Sequence, residues 1–307
     1  MKLKFYLLAL LAFPFFMVGC SDDDEPEAPQ TNTIVDIAVG DENFSTLVSA
    51  LQRTNLVSTL QGDGPFTVFA PTNAAFDALG VDLSTISDTD LTNILLYHVI
   101  GGAQINSTDL AEGQTYASTA SASGPNGTQL SVLVERAGSN VRLNDAANVV
   151  TADIVADNGV IHVIDNVITP LDIVGHAAAN SNFTSLVGAL SSAPGDLVSV
   201  LQGAGPFTVF APTNGAFAEI ADVVATLTPE QLTSVLTYHV VAGNVASSAL
   251  SDNMNVTTVN GQDVSVSMTS GVKLIDAGGN ESQVILTDVQ ATNGIIHVIE
   301  KVIIPTL

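Results

Sequence analysis

In 307 residues the chain has one cysteine and no tryptophan. A single cysteine excludes an intrachain disulfide framework, a CxxC redox pair and a cysteine-built zinc cluster. Basic residues are almost as scarce. Seven Lys plus Arg stand against 31 Asp plus Glu, a formal charge of -24. Nucleic-acid affinity rests on Lys and Arg displacing counterions from phosphates, so no nucleic acid is expected as a partner. Aromatic residues make up 5% of the chain, too little for a stacking platform of the kind that grips sugars. HExxH and GxSxG are absent, which removes the local signatures of a zinc peptidase and of a hydrolase nucleophile elbow. No DxDxDG loop suggests a calcium site. No metal and no cofactor are expected. Disorder is also excluded over most of the length, because charged residues are 12% and hydrophobic ones 46%.

The cysteine that is present has a specific place. Residues 1–20 read MKLKFYLLALLAFPFFMVGC, with Lys2 and Lys4 before an apolar run from Leu7 to Val18. That is the layout of an export signal, and the run is shorter than the roughly 20 apolar residues of a membrane-spanning helix. Met17-Val18-Gly19-Cys20 resembles a bacterial lipobox, in which the cysteine is acylated and becomes the new N-terminus. The expectation is a signal peptide over 1–19, lipidation at Cys20 and a membrane partner through that lipid. Two or three acyl chains anchor stably, at about 0.8 kcal/mol per buried methylene. Removing the leader leaves Arg53, Arg136, Arg142, Lys273 and Lys301 as the only bases, and a charge of -26. Residues 20–33, with Ser21-Asp22-Asp23-Asp24-Glu25 at their head, read as an acidic, flexible tether. The SDDDE run resembles the export signal of surface-exposed lipoproteins in one group of Gram-negative bacteria.

Internal repetition is the strongest feature. Gln61-Gly-Asp-Gly-Pro-Phe-Thr-Val-Phe-Ala-Pro-Thr-Asn73 recurs from Gln202 to Asn214, and Tyr97-His98 recurs as Tyr238-His239. Asn158-Gly-Val-Ile-His-Val-Ile-Asp165 recurs as Asn293-Gly-Ile-Ile-His-Val-Ile-Glu300. The spacing places two modules at about 34–171 and 172–307, with the length difference between them in the Ser/Gly-rich stretch 118–128. Within each module Phe44, Leu47, Val48 and Leu51, and again Phe183, Leu186, Val187 and Leu190, fall on one helical face. Thr67–Ala70 is a short apolar run closed by Pro71 and reads as a buried strand. Asn73 and Asn214 are placed to cap the helices that follow, and Thr228-Pro-Glu-Gln231 is a capping-box start. The last third alternates at Leu130, Val132, Val134, Val141 and Leu143. Helices come first and strands later, so each module is expected to be α+β with an antiparallel-rich sheet.

The segment Phe66–Phe76, the Tyr97-His98 pair and the segment Asn158–Pro170, all three present twice in the same order, resemble the fasciclin domain. The resemblance covers nearly the whole chain after the tether. It implies two tandem α+β domains, each a β-wedge or sandwich packed with several helices. It also implies a non-catalytic cell-surface role in adhesion and matrix organisation. Some animal members associate adhesion with the Tyr-His region and with an Asp-Ile pair before the NGxIH segment. By position these are Tyr97, His98, Asp153 and Ile154 in the first module and Tyr238 and His239 in the second, where Asp288 is followed by Val289.

Five histidines are present, and all but His176 are matched between modules, which favours structural roles over catalysis or metal binding. His176 has no partner at zinc spacing. The eight Phe after the leader match one for one and read as core, while Tyr116 is unmatched. The sequence therefore reads as a lipid-anchored, outer-membrane or cell-surface adhesion module. Its expected partner is an extracellular or cell-surface protein or a polysaccharide, bound through the divergent loops 104–128 and 244–262. A structural envelope protein without a discrete ligand, or a small-molecule hydrolase, are the alternatives.

Overall fold

A computed structural model describes residues 32–307; the leader, Cys20 and the tether up to residue 31 lie outside the described residues. Thr33, assigned to the tether on composition, is already folded. Its hydroxyl accepts from the Asp36 amide while Asp36 reaches back to Thr33, a complete capping box for α1 (Ile34–Gly40).

In the first repeat α1 is followed by α2 (Ser45–Arg53), α3 (Val57–Leu60), β1 (Phe66–Pro71), α4 (Asn73–Ala78) and α5 (Asp88–Tyr97). Six strands complete it: β2 (Val99–Gly101), β3 (Gly113–Ser118), β4 (Ser131–Ala137), β5 (Asn140–Leu143), β6 (Ala147–Ala156) and β7 (Gly159–Ile164). The second repeat runs α6 (Ile173–Ala179), α7 (Thr184–Ser192), α8 (Leu197–Leu201), β8 (Phe207–Pro212), α9 (Asn214–Glu219), α10 (Ala221–Val224) and α11 (Pro229–Tyr238). Its remaining strands are β9 (Val240–Ala242), β10 (Asn255–Thr257), β11 (Asp263–Ser267), β12 (Lys273–Ile275), β13 (Glu281–Ala291) and β14 (Gly294–Ile299).

Each repeat forms a seven-stranded sheet, ordered β2-β1-β7-β6-β5-β4-β3 in the first and equivalently in the second. The early apolar strand lies inside the sheet, because β1 pairs antiparallel with β2 and parallel with β7 from Phe66↔Gly159 to Pro71↔Ile164. A strand hydrogen-bonded on both edges and buried along its length is a continuous apolar run, as Thr67–Ala70 is. Phe69 and Ile164 pack in one cluster with Val132, Val134, Val141 and Leu143 from the other end of the sheet. The sheet therefore curls on itself into a wedge. The helices cover its outer face through a second cluster including Phe44, Leu47, Leu51, Phe76 and Leu95. The helical stripe and the matched Phe residues expected as core are thus in the core, Phe66, Phe207 and Phe217 being only partly buried.

Two local expectations are corrected. Asn73 and Asn214 do not cap α4 and α9; the preceding Thr72 and Thr213 do, accepting from the Ala75 and Ala216 amides. Asn73 instead ties the end of α4 to α2: its Oδ1 accepts from the Thr46 amide at 2.9 Å, and its Nδ2 donates to the Glu42 carbonyl at 2.9 Å. Asn214 does the same with Ser185 and Ser181. The second correction is that part of the stretch read as loop, Gly113–Ser118, is strand β3 at the sheet edge. The main length difference does lie where expected. Thr119 and Leu130 close a longer loop than their counterparts Thr258 and Gln262.

Candidate functional site

The Tyr-His pairs sit at the end of α5 and α11, where the helix hands the chain to the sheet. Tyr97 is fully buried, and its hydroxyl donates to the Ser131 carbonyl at 2.8 Å and accepts from Asn144 Nδ2 at 3.0 Å. Burial pushes the Tyr97 hydroxyl pKa up. Tyr238 repeats this with the Asp263 carbonyl and the Ala277 amide. His98 is buried as well. Its Nε2 accepts from the Ile168 amide at 3.1 Å, so the proton is on Nδ1, which donates to the Ile94 carbonyl at 2.7 Å. His239 has the same arrangement with Ile303 and Val235. Burial holds both rings down to a pKa of about 4. All four side chains have their polar atoms occupied by the protein itself: the histidines hold the helix ends to the last segment of each repeat, and the tyrosines hold them to the strands and turns of the sheet.

Asp153 and Ile154 sit elsewhere, on a bulge of β6 where the register with β7 shifts between Thr151 and Ile154. Asp153 adopts a left-handed backbone (φ 61°), and so does Asp288 on the matching bulge of β13 (φ 62°). Asp is one of the few residues that tolerates this conformation. The Asp153 carboxylate accepts from the Ser107 amide at 2.7 Å and the Ser107 hydroxyl at 2.5 Å. Burial pushes its pKa up, but the two Ser107 bonds outweigh burial and the net shift is downward. Ile154 packs against the helical core, as does Val289 in the second repeat. Ile and Val fill the same apolar role there.

His162 completes a set that sequence reading did not assemble. Its Nδ1 accepts from the Asp153 amide at 3.3 Å, and its Nε2 donates to the Ile105 carbonyl at 2.9 Å. Ser247, Asp288 and His297 repeat the set in the second module. Ser, Asp and His meet here, yet the order of contacts is wrong for nucleophilic catalysis. The serine proton goes to the carboxylate, and both ring nitrogens are taken by backbone, so no imidazole faces Ser107 Oγ. The set is a brace that fixes the loop after β2 to the bulge. The only sequence signal was the repetition of Ser-x-x-Leu at 107–110 and 247–250 with the matched histidines.

Beside this brace the first module has an apolar recess of about 30 Å³, lined by Phe69, Ile105, Leu110, Thr115, Val134 and His162 among others. A wider polar cleft of about 390 Å³ lies in the second module between α9 and the segments carrying Asp276, Asn280 and Lys301. Among the described residues no group of three His, Cys, Asp or Glu side chains is placed to hold a metal ion. None of their helices is long and apolar enough to cross a membrane.

Comparison with known proteins bears on the whole arrangement. The chain matches the fasciclin domain profile over residues 42–170 and again over 181–305. It is 44% identical over 138 residues to the protein sll1735 of Synechocystis, a match covering 44% of this chain and 96% of that protein. It is 27% identical over 267 residues to human periostin, covering 82% of this chain and 30% of periostin. Among solved structures it is similar to the FAS1 domain pair of the insect cell adhesion molecule fasciclin I. The TM-score there is 0.49 at 19% identity, over 89% of this chain and 95% of that one. Two profile matches in tandem account for most of the chain, which is therefore a member of the fasciclin domain family with two such domains.

Proposed function

We propose that the chain is a non-catalytic adhesion or matrix-interaction module carried on the cell surface by a lipid at Cys20. In this reading residues 1–19 are the signal peptide and the acidic segment after Cys20 spaces the folded pair from the membrane. The partner is an extracellular or cell-surface protein or a polysaccharide. One observation supports a binding role without catalysis: the matched polar side chains, including Tyr97, His98, Tyr238 and His239, are spent on internal hydrogen bonds. Recognition then falls to what differs between the repeats, the loops 104–128 and 244–262, since loops on a rigid scaffold carry most binding surfaces. Asp153 and Ile154 are the positions beside the family motif through which the same partner would be reached if the loops are not the site.

Two experiments test the reading. Cys20→Ala should abolish fatty-acid labelling and release the protein from the membrane fraction; retention of both contradicts the anchor. Exchanging loop 104–128 for its counterpart should alter adhesion of the protein to matrix-coated surfaces. Unchanged adhesion in the exchange, with loss in a folded Asp153→Asn variant, moves the site to the motif.

A further inference from the structure

The two repeats meet through residues that do not repeat. The Tyr116 hydroxyl on β3 accepts from Asn180 Nδ2 at 3.0 Å, and Gln114 Oε1 accepts from Ser181 Oγ at 3.2 Å and Asn182 Nδ2 at 3.1 Å. The Ser131 hydroxyl oxygen accepts from the Gln290 backbone amide at 2.9 Å. At the centre is His176 of α6, wholly buried, with its ring edge-on to Tyr116 at a centroid separation of 5.6 Å and an interplanar angle of 62°. Among the described residues neither of its ring nitrogens has a hydrogen-bond partner. The equivalent position on α1 is Ile37, matched through Ile34 and Ile173, whose amides bond Asn158 and Asn293 alike. A buried donor or acceptor without a partner destabilises by about 1–3 kcal/mol, so a histidine where the repeat has an isoleucine calls for a reason.

The surroundings offer nothing to balance a charge. Of the elements packed on α6, α7, α8 and the turn Ser181–Phe183 contain no Asp, Glu, Lys, Arg or His. β14 contributes only His297, engaged with Asp288 and Val245, and β3 only Tyr116, whose hydroxyl pKa burial pushes up to about 12. Asp172, the cap of α6, accepts from the Gly175 amide. On β4, Glu135 stands in cross-strand register between Gln114 and Arg142, with a base beside it, and Arg136 reaches the Leu110 carbonyl. On β13, Glu281 is paired with Lys273, and Asp288 with Ser247.

We propose that His176 is an acid-sensitive latch: uncharged, it packs against Tyr116 and holds the two repeats as one body, and proton uptake opens the junction into a hinge. The sign follows from burial, which holds the ring down to a pKa of about 4 from the usual 6.5. Above 6.5 the ring is neutral whether the junction is closed or open, and closure carries no penalty. Between 6.5 and about 4 only the open form takes the proton, and opening gains nearly tenfold per pH unit, on the order of a few hundred-fold in total. Below that range no further gain accrues.

His98 and His239 carry the same burial inside the repeats, so the experiment must separate opening from unfolding. Full-length protein in detergent, labelled through Asp63→Cys and Asp222→Cys, reports the inter-repeat distance by energy transfer, while far-UV circular dichroism reports the repeats themselves. Energy transfer should change between pH 6.5 and 4 with the dichroism intact. The change should vanish in His176→Ile, which installs the residue of the first repeat, and in His176→Phe should the first variant fold poorly. Energy transfer that stays constant until the dichroism is lost, or an isoleucine variant that responds as the wild type does, overturns the latch.

Discussion

The histidine-bearing motif is a packing device at the level of single residues. His98 satisfies one amide and one carbonyl with its two ring nitrogens, and His239 does likewise. Replacing His98 by alanine leaves the Ile168 amide buried without an acceptor and opens a cavity beside Leu95. The expected loss is about 1–3 kcal/mol for the orphaned donor, with a further contribution from the cavity. Thermal melting of His98→Ala checks this, and a melt unchanged from wild type, accompanied by weakened adhesion, would make the side chain a recognition residue instead. Asn158 is a stronger case that chain position alone did not announce. Its Oδ1 takes the Ile34 amide, and its Nδ2 serves the carbonyls of Leu60 and Gly62, so one buried side chain joins three segments.

Between elements, the NGxIH segment is defined by how closely β7 approaches β1. Gly159 and Gly294 have φ of 157° and 158°, and a Cβ on either would overlap the carbonyl of Phe66 or Phe207. Gly64 and Gly205 have positive φ too, and their added Cβ would meet the carbonyls of Asn158 and Asn293. The two glycine motifs, far apart in the chain, are the two sides of one close contact. Gly159→Ala should destabilise the first repeat by about 3 kcal/mol or more, through overlap with backbone that has no room to move. The expected signature is a melt in which the first repeat unfolds earlier than the second, followed by hydrogen exchange in peptides from each. The Thr72 and Thr213 caps show the same dependence on context: either Thr or Asn suits a cap, and the neighbouring helix, α2 or α7, claims the Asn.

For the molecule as a whole, charge and burial act on stability in opposite ways as pH changes. Four of the five bases after the leader are in ion pairs, Arg53 with Asp88, Arg136 with Glu112, Arg142 with Asp145 and Lys273 with Glu281. Among the described residues most carboxylates face the solvent, and only four are paired with Lys or Arg. Salt screens that repulsion, so at pH 7 the melting temperature should rise between about 10 mM and 0.5 M salt; a fall would show that the ion pairs outweigh the repulsion. The buried histidines work the other way. His98, His176 and His239 are held at pKa values of about 4, so the unfolded chain takes protons at 6.5 that the folded chain refuses. Stability is complete above pH 6.5 and declines toward pH 4, and melting temperatures measured across that range should fall accordingly. The sequence by itself determined the two modules, the α+β class, the helical stripes, the matched aromatic core and the sheet-borne last third, because repetition and periodicity are properties of local chain geometry. For Tyr97, His98, Tyr238 and His239 it left two readings side by side, core-type residues matched between the modules and adhesion positions implied by the family resemblance. Only the tertiary structure decided that β1 runs parallel beside β7, that Ser107, Asp153 and His162 form a brace with no free imidazole, and that the unmatched Tyr116 and His176 meet between the repeats. Those contacts join residues with no shared period and no fixed spacing, so the curl of the sheet and the packing of one module on the other had to bring them together.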